Sequence, residues 1–348
     1  MRHFLSRFTA VALLIASSSA TLAGEVSIIG EDAGLTLLGE EIERHAAAAQ
    51  GTVGVAVYHL ESGRGLLLNG DASFPMASTY KVPIAVEILA RVDDGSLSLD
   101  ERITVQETDL VNTHGVISDL LDAPGAQLTI ENLLGLMLRI SDNIATDLLF
   151  REAGGASAIN ARIKKLGIEG MRVDRDTRGI IASWLGSEAA RAGKRIPVAE
   201  FDAMVDAENL GQLGDEELDA LNREFNADPS DSSTPKAMSA LLQGLWEQTH
   251  LSKKSSALIL EIMERCQTGE RRLVGLLPAG TVVAHKTGTI GETTNDVGII
   301  TLPNDAGHVI CVVFIKESKL PDNAAMEPVI AQIARATHDY FVFNRRSE

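Results

Sequence analysis

Phe74-Pro75-Met76-Ala77-Ser78-Thr79-Tyr80-Lys81 marks the point at which the chain changes its hydrophobic period. Before it, Gly51 to His59 alternates towards a strand, and Gly63 to Gly70, with Leu66, Leu67 and Leu68, reads as its hairpin partner. After it, a helix opens near Ser78 and runs to Val92, where Asp93-Asp94-Gly95 stops it. Upstream, Leu35 to Ala49 has helical composition. Downstream, Ile130 to Arg139, Ile144 to Glu152, Ala158 to Leu166 and Pro235 to Gln248 all carry apolar residues at three- and four-residue spacing. Strand chemistry returns at Thr281 to His285, Asp296 to Leu302 and His308 to Ile315, and Met326 to Phe341 reads as a closing helix. Strands at both ends of a helical middle predict an α+β fold. One antiparallel sheet flanked by helices is built from both chain ends, with an all-helical lobe inserted between them. The expected division is residues 24–75 and 235–348 for the discontinuous sheet domain. Residues 76–234 form the helical domain, with an extended loop over 172–231. Asp176 to Asp231 is the least regular stretch, with charged helical pieces around Pro197 to Leu210 and Asp215 to Phe225, and reads as a solvated surface excursion.

Composition narrows the function. Of 348 residues, 45% are hydrophobic and 23% charged, so the chain can bury enough apolar surface to fold and is not a low-complexity protein. A formal net charge of −17 repels phosphate backbones and anionic lipid headgroups, which argues against a nucleic-acid partner. Two cysteines, Cys266 and Cys311, are too few for a disulfide scaffold, and whether they pair is not readable from their spacing. The eight histidines show no paired ligand spacing, so no metal and no cofactor is expected. Residues 1–23 have a basic start with Arg2 and Arg7, an apolar run from Phe8 to Ile15 and small residues to Ala23. That is the order of a secretory signal, too short to span a bilayer, and it predicts export without membrane insertion after cleavage. In a Gram-negative source the destination is the periplasm.

Three short motifs carry chemistry. In Ser78-Thr79-Tyr80-Lys81, residues three apart share a helical face, so the Lys81 amine can sit against the Ser78 hydroxyl. A serine hydroxyl is a poor nucleophile until a base takes its proton, and a desolvated lysine has a pKa low enough to serve. A helix start also aims free N–H groups outward, where they can stabilise an oxyanion. Alone, the quartet reads equally as a capping serine with a solvated lysine. Ser141-Asp142-Asn143 ends the apolar run Leu133 to Ile140, and its hydroxyl and amide could face the nucleophile across a cleft; the plainer reading is a helix cap. In Lys286-Thr287-Gly288-Thr289, Lys286 supplies fixed charge, Gly288 permits close approach of a ligand and the Thr289 N–H can complete an oxyanion hole. His285 beside it points to the opposite face of its strand and reads as structural.

The three motifs, in this order, each on the element type the chemistry needs, form the set of penicillin-interacting serine enzymes. The chain resembles the class A β-lactamase family over Ser73 to Ile88, Thr129 to Leu149, Ser230 to Met238 and Cys266 to Asn304, including Thr293-Thr294-Asn295-Asp296-Val297. The resemblance implies a sheet domain beside a helical lobe with the site in the groove between them, a small-molecule β-lactam as partner, and a monomer. It also implies roles. Ser78 would be acylated and Lys81 would help deprotonate it. Ser141 and Lys286 would pass a proton to the departing nitrogen, Asn143 would orient the substrate amide, and the Ser78 and Thr289 N–H groups would hold the oxyanion. Thr287 would bind the substrate carboxylate, assisted by Arg272, fourteen positions before Lys286. Arg175 and Asp231 would close the loop bordering the site.

One family feature is displaced. The family activates the hydrolytic water with a glutamate in a Glu-x-x-Leu-Asn pattern on that loop, which here carries a long insertion. Counting from Arg172-Val173-Asp174-Arg175 puts Thr177 in the glutamate position; counting back from Asp231, Leu221-Asn222 match but the glutamate column holds Leu218, with Glu217 one residue early. Glu217 is therefore the candidate base, with Asp176 and Asp219 behind it. With a working base the implied activity is β-lactam hydrolysis. Without one it is an enzyme that acylates and stalls, such as a penicillin-binding protein or an esterase-like hydrolase. A non-catalytic cell-wall binder is the remaining alternative.

Overall fold

The computed structural model describes residues 24–111, 113, 115–206 and 211–344. The expected signal segment, residues 1–23, lies outside them. Among the described residues ten strands occur in chain order: β1 (Val26–Ile29), β2 (Thr52–His59), β3 (Gly65–Leu68), β4 (Phe74–Pro75), β5 (Arg102–Thr104), β6 (Gln127–Thr129), β7 (Ser232–Ser233), β8 (Val283–Ile290), β9 (Thr293–Thr301) and β10 (His308–Lys316). Six of them form one antiparallel sheet in the order β1-β3-β2-β10-β9-β8. The two chain ends meet where β2 pairs β10, from Thr52 against Lys316 to His59 against Val309. The α+β sheet built from both ends is thus the observed architecture.

Both sheet faces are covered, and the period of two sorts the side chains between two cores. Val309, Cys311, Val313 and Ile315 of β10 pack with Leu35 and Ile42 of the helix Ala33–Ala47 and Ile330 and Phe341 of the helix Asn323–Phe343. Ile310, Val312 and Phe314 face the other way, joining Phe74 and the helical lobe through Ile84, Leu134 and Leu148. That lobe is centred on the helix Lys81–Asp93, ringed by the helices Ile130–Arg139, Asn143–Glu152, Gly155–Lys165 and Lys253–Glu264; it is not all-helical, since β5 pairs β6 within it, and the last of these helices joins it from outside the expected bounds 76–234. In the helix Ile130–Arg139 the stripe Ile130, Leu133, Leu134, Met137 and Leu138 is buried, as its three- and four-residue spacing dictates.

The stretch between Asp176 and Asp231 departs from its expected character as a solvated excursion. Its first helix, Thr177–Trp184, buries Ile180 and Ala182, and Ala190, Ile196, Phe201 and Phe225 also join the lobe's core. Most of its charged residues are exposed, Arg178 being buried, while the few apolar ones converge inward. The pieces Val198–Val205 and Asp215–Ala227 are helices, and residues 207–210 of the first expected piece lie outside the described set. The loop is closed at its base by Arg175, whose Nε donates to Asp231 Oδ2 at 2.6 Å while Asp231 Oδ1 accepts the Asp174 and Arg175 N–H groups at 2.7 and 3.0 Å. β4 pairs β7, tying the loop's exit to the segment just before Ser78.

Candidate active site

Ser78 lies in a 3-10 turn, Ala77–Tyr80, that runs into the helix Lys81–Asp93. The turn is held in a costly conformation, because Ala77 adopts φ +46. Asn295, fully buried on β9, fixes it from the sheet: its Nδ2 donates to Pro75 O at 2.9 Å and Met76 O at 3.0 Å. Across the groove, edge strand β8 comes up against the same turn at Gly288. A Cβ there would stand 2.6 Å from Met76 O and 3.1 Å from Ser78 N, so only glycine lets the strand approach this closely.

Lys81 is fully buried, and its Nζ lies 2.7 Å from Ser141 O, 2.8 Å from Asn143 Oδ1 and 3.1 Å from Ser141 Oγ. Among the described residues no hydrogen bond joins it to Ser78 Oγ. The contact expected along one helical face gives way to three acceptor atoms that draw the amine towards the second motif. Burial pushes the Lys81 pKa well below the ordinary lysine range, and the charge of Lys286 pushes the same way. The amine donates to both carbonyl-type oxygens and to the Ser141 hydroxyl, so its three contacts tie the first motif to the second.

Ser141 adopts φ +61, a left-handed conformation that turns its hydroxyl between the two lysines. Lys286 Nζ donates to Ser141 Oγ at 3.0 Å and to Thr287 O at 2.9 Å. Burial lowers the Lys286 pKa to about 8, with Arg272 acting in the same direction. Asp142 caps the following helix through Ala145 N at 2.8 Å and accepts Ile117 N at 2.9 Å, so the second motif is riveted in place. Asn143, whose Oδ1 faces Lys81, donates from Nδ2 to Thr113 O at 3.2 Å.

On β8 the Thr287 carbonyl faces Lys286, hence the groove. Backbone groups two residues apart on a strand leave by the same edge, so the Thr289 N–H also faces the groove, opposite the Ser78 turn. Arg272 is buried behind these residues, with NH2 donating to Thr289 Oγ1 at 2.7 Å, NH1 to Gly288 O at 3.1 Å and Nε to Glu327 Oε1 at 3.1 Å. Thr287 Oγ1 lies 2.7 Å from Thr268 Oγ1. His285 is buried on the other face, 3.0 Å from Asp296, with a pKa pushed up to about 10: burial lowers it, and the Asp296 carboxylate more than reverses that. The two cysteines are both free.

A cavity of about 260 Å³ opens beside Ser78, lined by Tyr80, Asn143, Thr177, Trp184 and Thr289 among others. Thr177, the position reached for the family's glutamate by counting from the entry arm, lies in the cavity wall. Its N–H donates to Asp147 Oδ1 at 2.6 Å, and its Oγ1 lies 2.6 Å from the Tyr80 hydroxyl. Asp147 is a site residue that motif reading missed. Burial, followed by the charge of Asp176, pushes its pKa up to about 7. It is a half-buried carboxylate on the helix Asn143–Glu152, one residue before the buried Leu148 and three after the buried Ile144. Glu217, the expected base, is exposed on the first turn of the helix Asp215–Ala227 and is not among the lining residues. That helix instead turns Asn222 inward, where its Oδ1 accepts Trp184 Nε1 at 2.8 Å. Asp219 is likewise exposed, and Asp176 is spent on capping the helix Thr177–Trp184 through Gly179 N at 2.8 Å. Among the described residues no cluster of His, Cys, Asp and Glu is suited to a metal ion, and no helix is long and apolar enough to cross a membrane.

Comparison with known proteins agrees with this geometry. The family described as "Beta-lactamase enzyme family" matches residues 37–341. The extended-spectrum beta-lactamase PER-1 of Pseudomonas aeruginosa is 32% identical over 311 residues, 87% of each chain. The beta-lactamase VEB-1 of the same organism is 32% identical, covering 87% of this chain and 89% of its own. Among solved structures, the TLA-3 extended-spectrum beta-lactamase superposes with a TM-score of 0.71 at 30% identity, covering 89% of this chain and all of that one, to 100%. A beta-lactamase from Chitinophaga pinensis gives 0.69 at 32% identity, covering 87% and 98%. With the Ser78 turn, the two lysines and Ser141 in one groove, and with likeness extending over most of its length, the chain belongs to the beta-lactamase enzyme family, in class A.

Proposed function

We propose that this protein hydrolyses β-lactams through an acyl-enzyme on Ser78. The observation that carries the reading is the Ser141 hydroxyl held between Lys81 at 3.1 Å and Lys286 at 3.0 Å. Lys81, whose burial eases the loss of its charge, takes the Ser78 proton as Ser78 Oγ attacks the lactam carbonyl, and the oxyanion settles between the Ser78 and Thr289 N–H groups. The proton then passes by way of Ser141 to the departing ring nitrogen while the C–N bond breaks. Lys286 and Thr287 receive the substrate carboxylate, backed by the charge of Arg272, and Asn143 orients the side-chain amide.

The second half of the cycle departs from the family's usual course. No carboxylate among the described residues lines the cavity beside Ser78, and Glu217 lies exposed outside it, so Glu217 does not supply the base. Deacylation is acylation reversed with water in place of the lactam nitrogen, and the base left in reach of that water is Lys81. This reading predicts a hydrolase with a slow second step. Incubation with a chromogenic cephalosporin, followed by intact-mass spectrometry, tests it: the expected result is a burst with a transient adduct on Ser78, then slow continuous release. A chain that forms no adduct and consumes no drug would overturn the proposal. Adduct formation with no subsequent release would instead favour a penicillin-binding role. Export follows from the reading of residues 1–23 and is part of the same proposal.

A further inference from the structure

Thr287 is the near end of a hydrogen-bonded chain that leads out of the groove to a sulfur atom. Its Oγ1 lies 2.7 Å from Thr268 Oγ1, which in turn lies 3.3 Å from Cys266 Sγ. Gly269, with φ +78, lets that segment come so near: a Cβ there would stand 2.5 Å from Thr287 Cγ2. Cys266 is half-buried and free, and the Thr268 carbonyl, at 3.7 Å, is its more distant acceptor. His285, held by Asp296 at 3.0 Å, also hydrogen-bonds the sulfur, and Lys286 adds its charge from the same strand. Glu264 and Arg265, next to it in sequence, are exposed, the Arg265 Nε donating back to Glu261 O. The helix Ile130–Arg139 meets this segment through Arg139, whose carbonyl accepts Gln267 N at 2.8 Å.

The order of hydrogens along this chain is decided at the sulfur. A thiol donates to Thr268 Oγ1; the Thr268 hydroxyl then donates to Thr287 Oγ1, and the Thr287 hydrogen is left to point at an acceptor in the groove. A thiolate only accepts. It takes the Thr268 hydrogen, Thr268 Oγ1 takes that of Thr287, and Thr287 then offers a carboxylate nothing but lone pairs. Resting on the substrate placement proposed above, we propose that Cys266 is a positioning residue for the reaction: through Thr268 its thiol aims the Thr287 hydroxyl at the substrate carboxylate. Burial raises the Cys266 pKa, but the hydrogen bond and charge of His285, with the charge of Lys286, more than reverse that and bring it to about 7. The donating order therefore holds below about pH 7 and reverses above it, as the sulfur gives its proton to solvent.

The experiment measures kcat/KM for benzylpenicillin across neutral pH in the wild type and in Cys266→Ser, whose hydroxyl can donate but does not ionise, with thermal melts to confirm folding. The ratio of wild type to variant cancels the titrations that both share, those of Lys81 and Lys286 included. It should fall by about tenfold, the scale of one hydrogen bond to a charged group, as the pH rises through about 7. The fall should track the ultraviolet absorbance of the Cys266 thiolate, since Cys311 is fully buried and its thiol is pushed up out of that range. The same pair compared on a Thr268→Val background, where the chain is cut, should give a ratio that does not change with pH. A merely structural role for Cys266 would shift the ratio equally at every pH. A flat wild-type ratio, a fall that does not follow the thiolate, or a fall that survives Thr268→Val would overturn the relay while leaving the acylation reading intact. A folded wild type that forms no Ser78 adduct would refute the acylation reading itself.

Discussion

Substituting Gly288 by alanine tests whether the groove depends on the close approach of β8 to the Ser78 turn. The added methyl would stand 2.6 Å from Met76 O, 3.0 Å from Thr79 N and 3.1 Å from Ser78 N, all backbone atoms, where ordinary contact begins at 3.4 Å. None of these can swing aside as a side-chain tip would. The turn is pinned by Asn295 and the strand by its pairing with β9, so one of them must retreat by about 0.8 Å to relieve the closest contact. The Thr289 N–H is displaced with the strand, and the two oxyanion donors separate. A misplacement of that size at reacting groups costs on the order of 100-fold in rate, and loss of one oxyanion donor costs about 100- to 1,000-fold. The expected outcome is an acylation rate, read as adduct formation by stopped-flow and mass spectrometry, reduced by about 100-fold or more. Overpacking should lower stability by about 1–3 kcal/mol. A Gly288→Ala protein acylating within threefold of the wild type would refute the argument that this approach sets the oxyanion geometry.

Three further outcomes are expected. Because burial and Arg272 bring the Lys286 pKa to about 8, the lysine loses its proton above that pH, and with it the pull on the substrate carboxylate. The pH profile of kcat/KM should fall above about pH 8 with KM rising, and Lys286→Arg should shift that limb upward. Installing Thr177→Glu returns a carboxylate to the cavity wall, so hydrolysis of a pre-formed adduct should accelerate by about tenfold or more, the modest end of general-base catalysis; an unchanged release rate would mean Thr177 does not face the water. Truncating Arg175→Ala leaves the Asp231 carboxylate buried without its partner, which should cost about 3–5 kcal/mol in a denaturant melt and raise proteolysis between residues 176 and 230.

The sequence carries the sheet and the three motifs clearly, because each rests on local signals. β8 to β10 are β-branched runs of period two, and the motif residues sit at breaks between elements. The inserted segment was opaque for a physical reason: burial there is decided by a handful of apolar residues scattered through charged sequence. Ile180, Phe201 and Phe225 show no sustained stripe, yet each finds the lobe's core. The helix Lys253–Glu264 and strand β1 were not anticipated, the first short and serine-rich at its start, the second only four residues long. Glu217 shows where spacing misleads. Counting along a chain assumes the loop is extended, but the segment coiled into a helix that directs Asn222 inward and leaves Glu217 outside. The contacts of Lys81 were likewise hidden, since Ser141 and Asn143 arrive from sixty residues away.

The pairing of β2 with β10 has a consequence for biosynthesis. Residues 52 and 316 are neighbours in the sheet, and the groove takes its serine from one side of that seam and its second lysine from the other. An emerging polypeptide stays chemically inert until nearly all of it has left the ribosome, because no amino-terminal fragment owns a complete set of reacting groups. Such long-range closure is slow compared with helix formation. Shortening the carboxyl-terminal region by even the last three sheet strands should therefore yield a helical lobe with a serine but no capacity to react with drug.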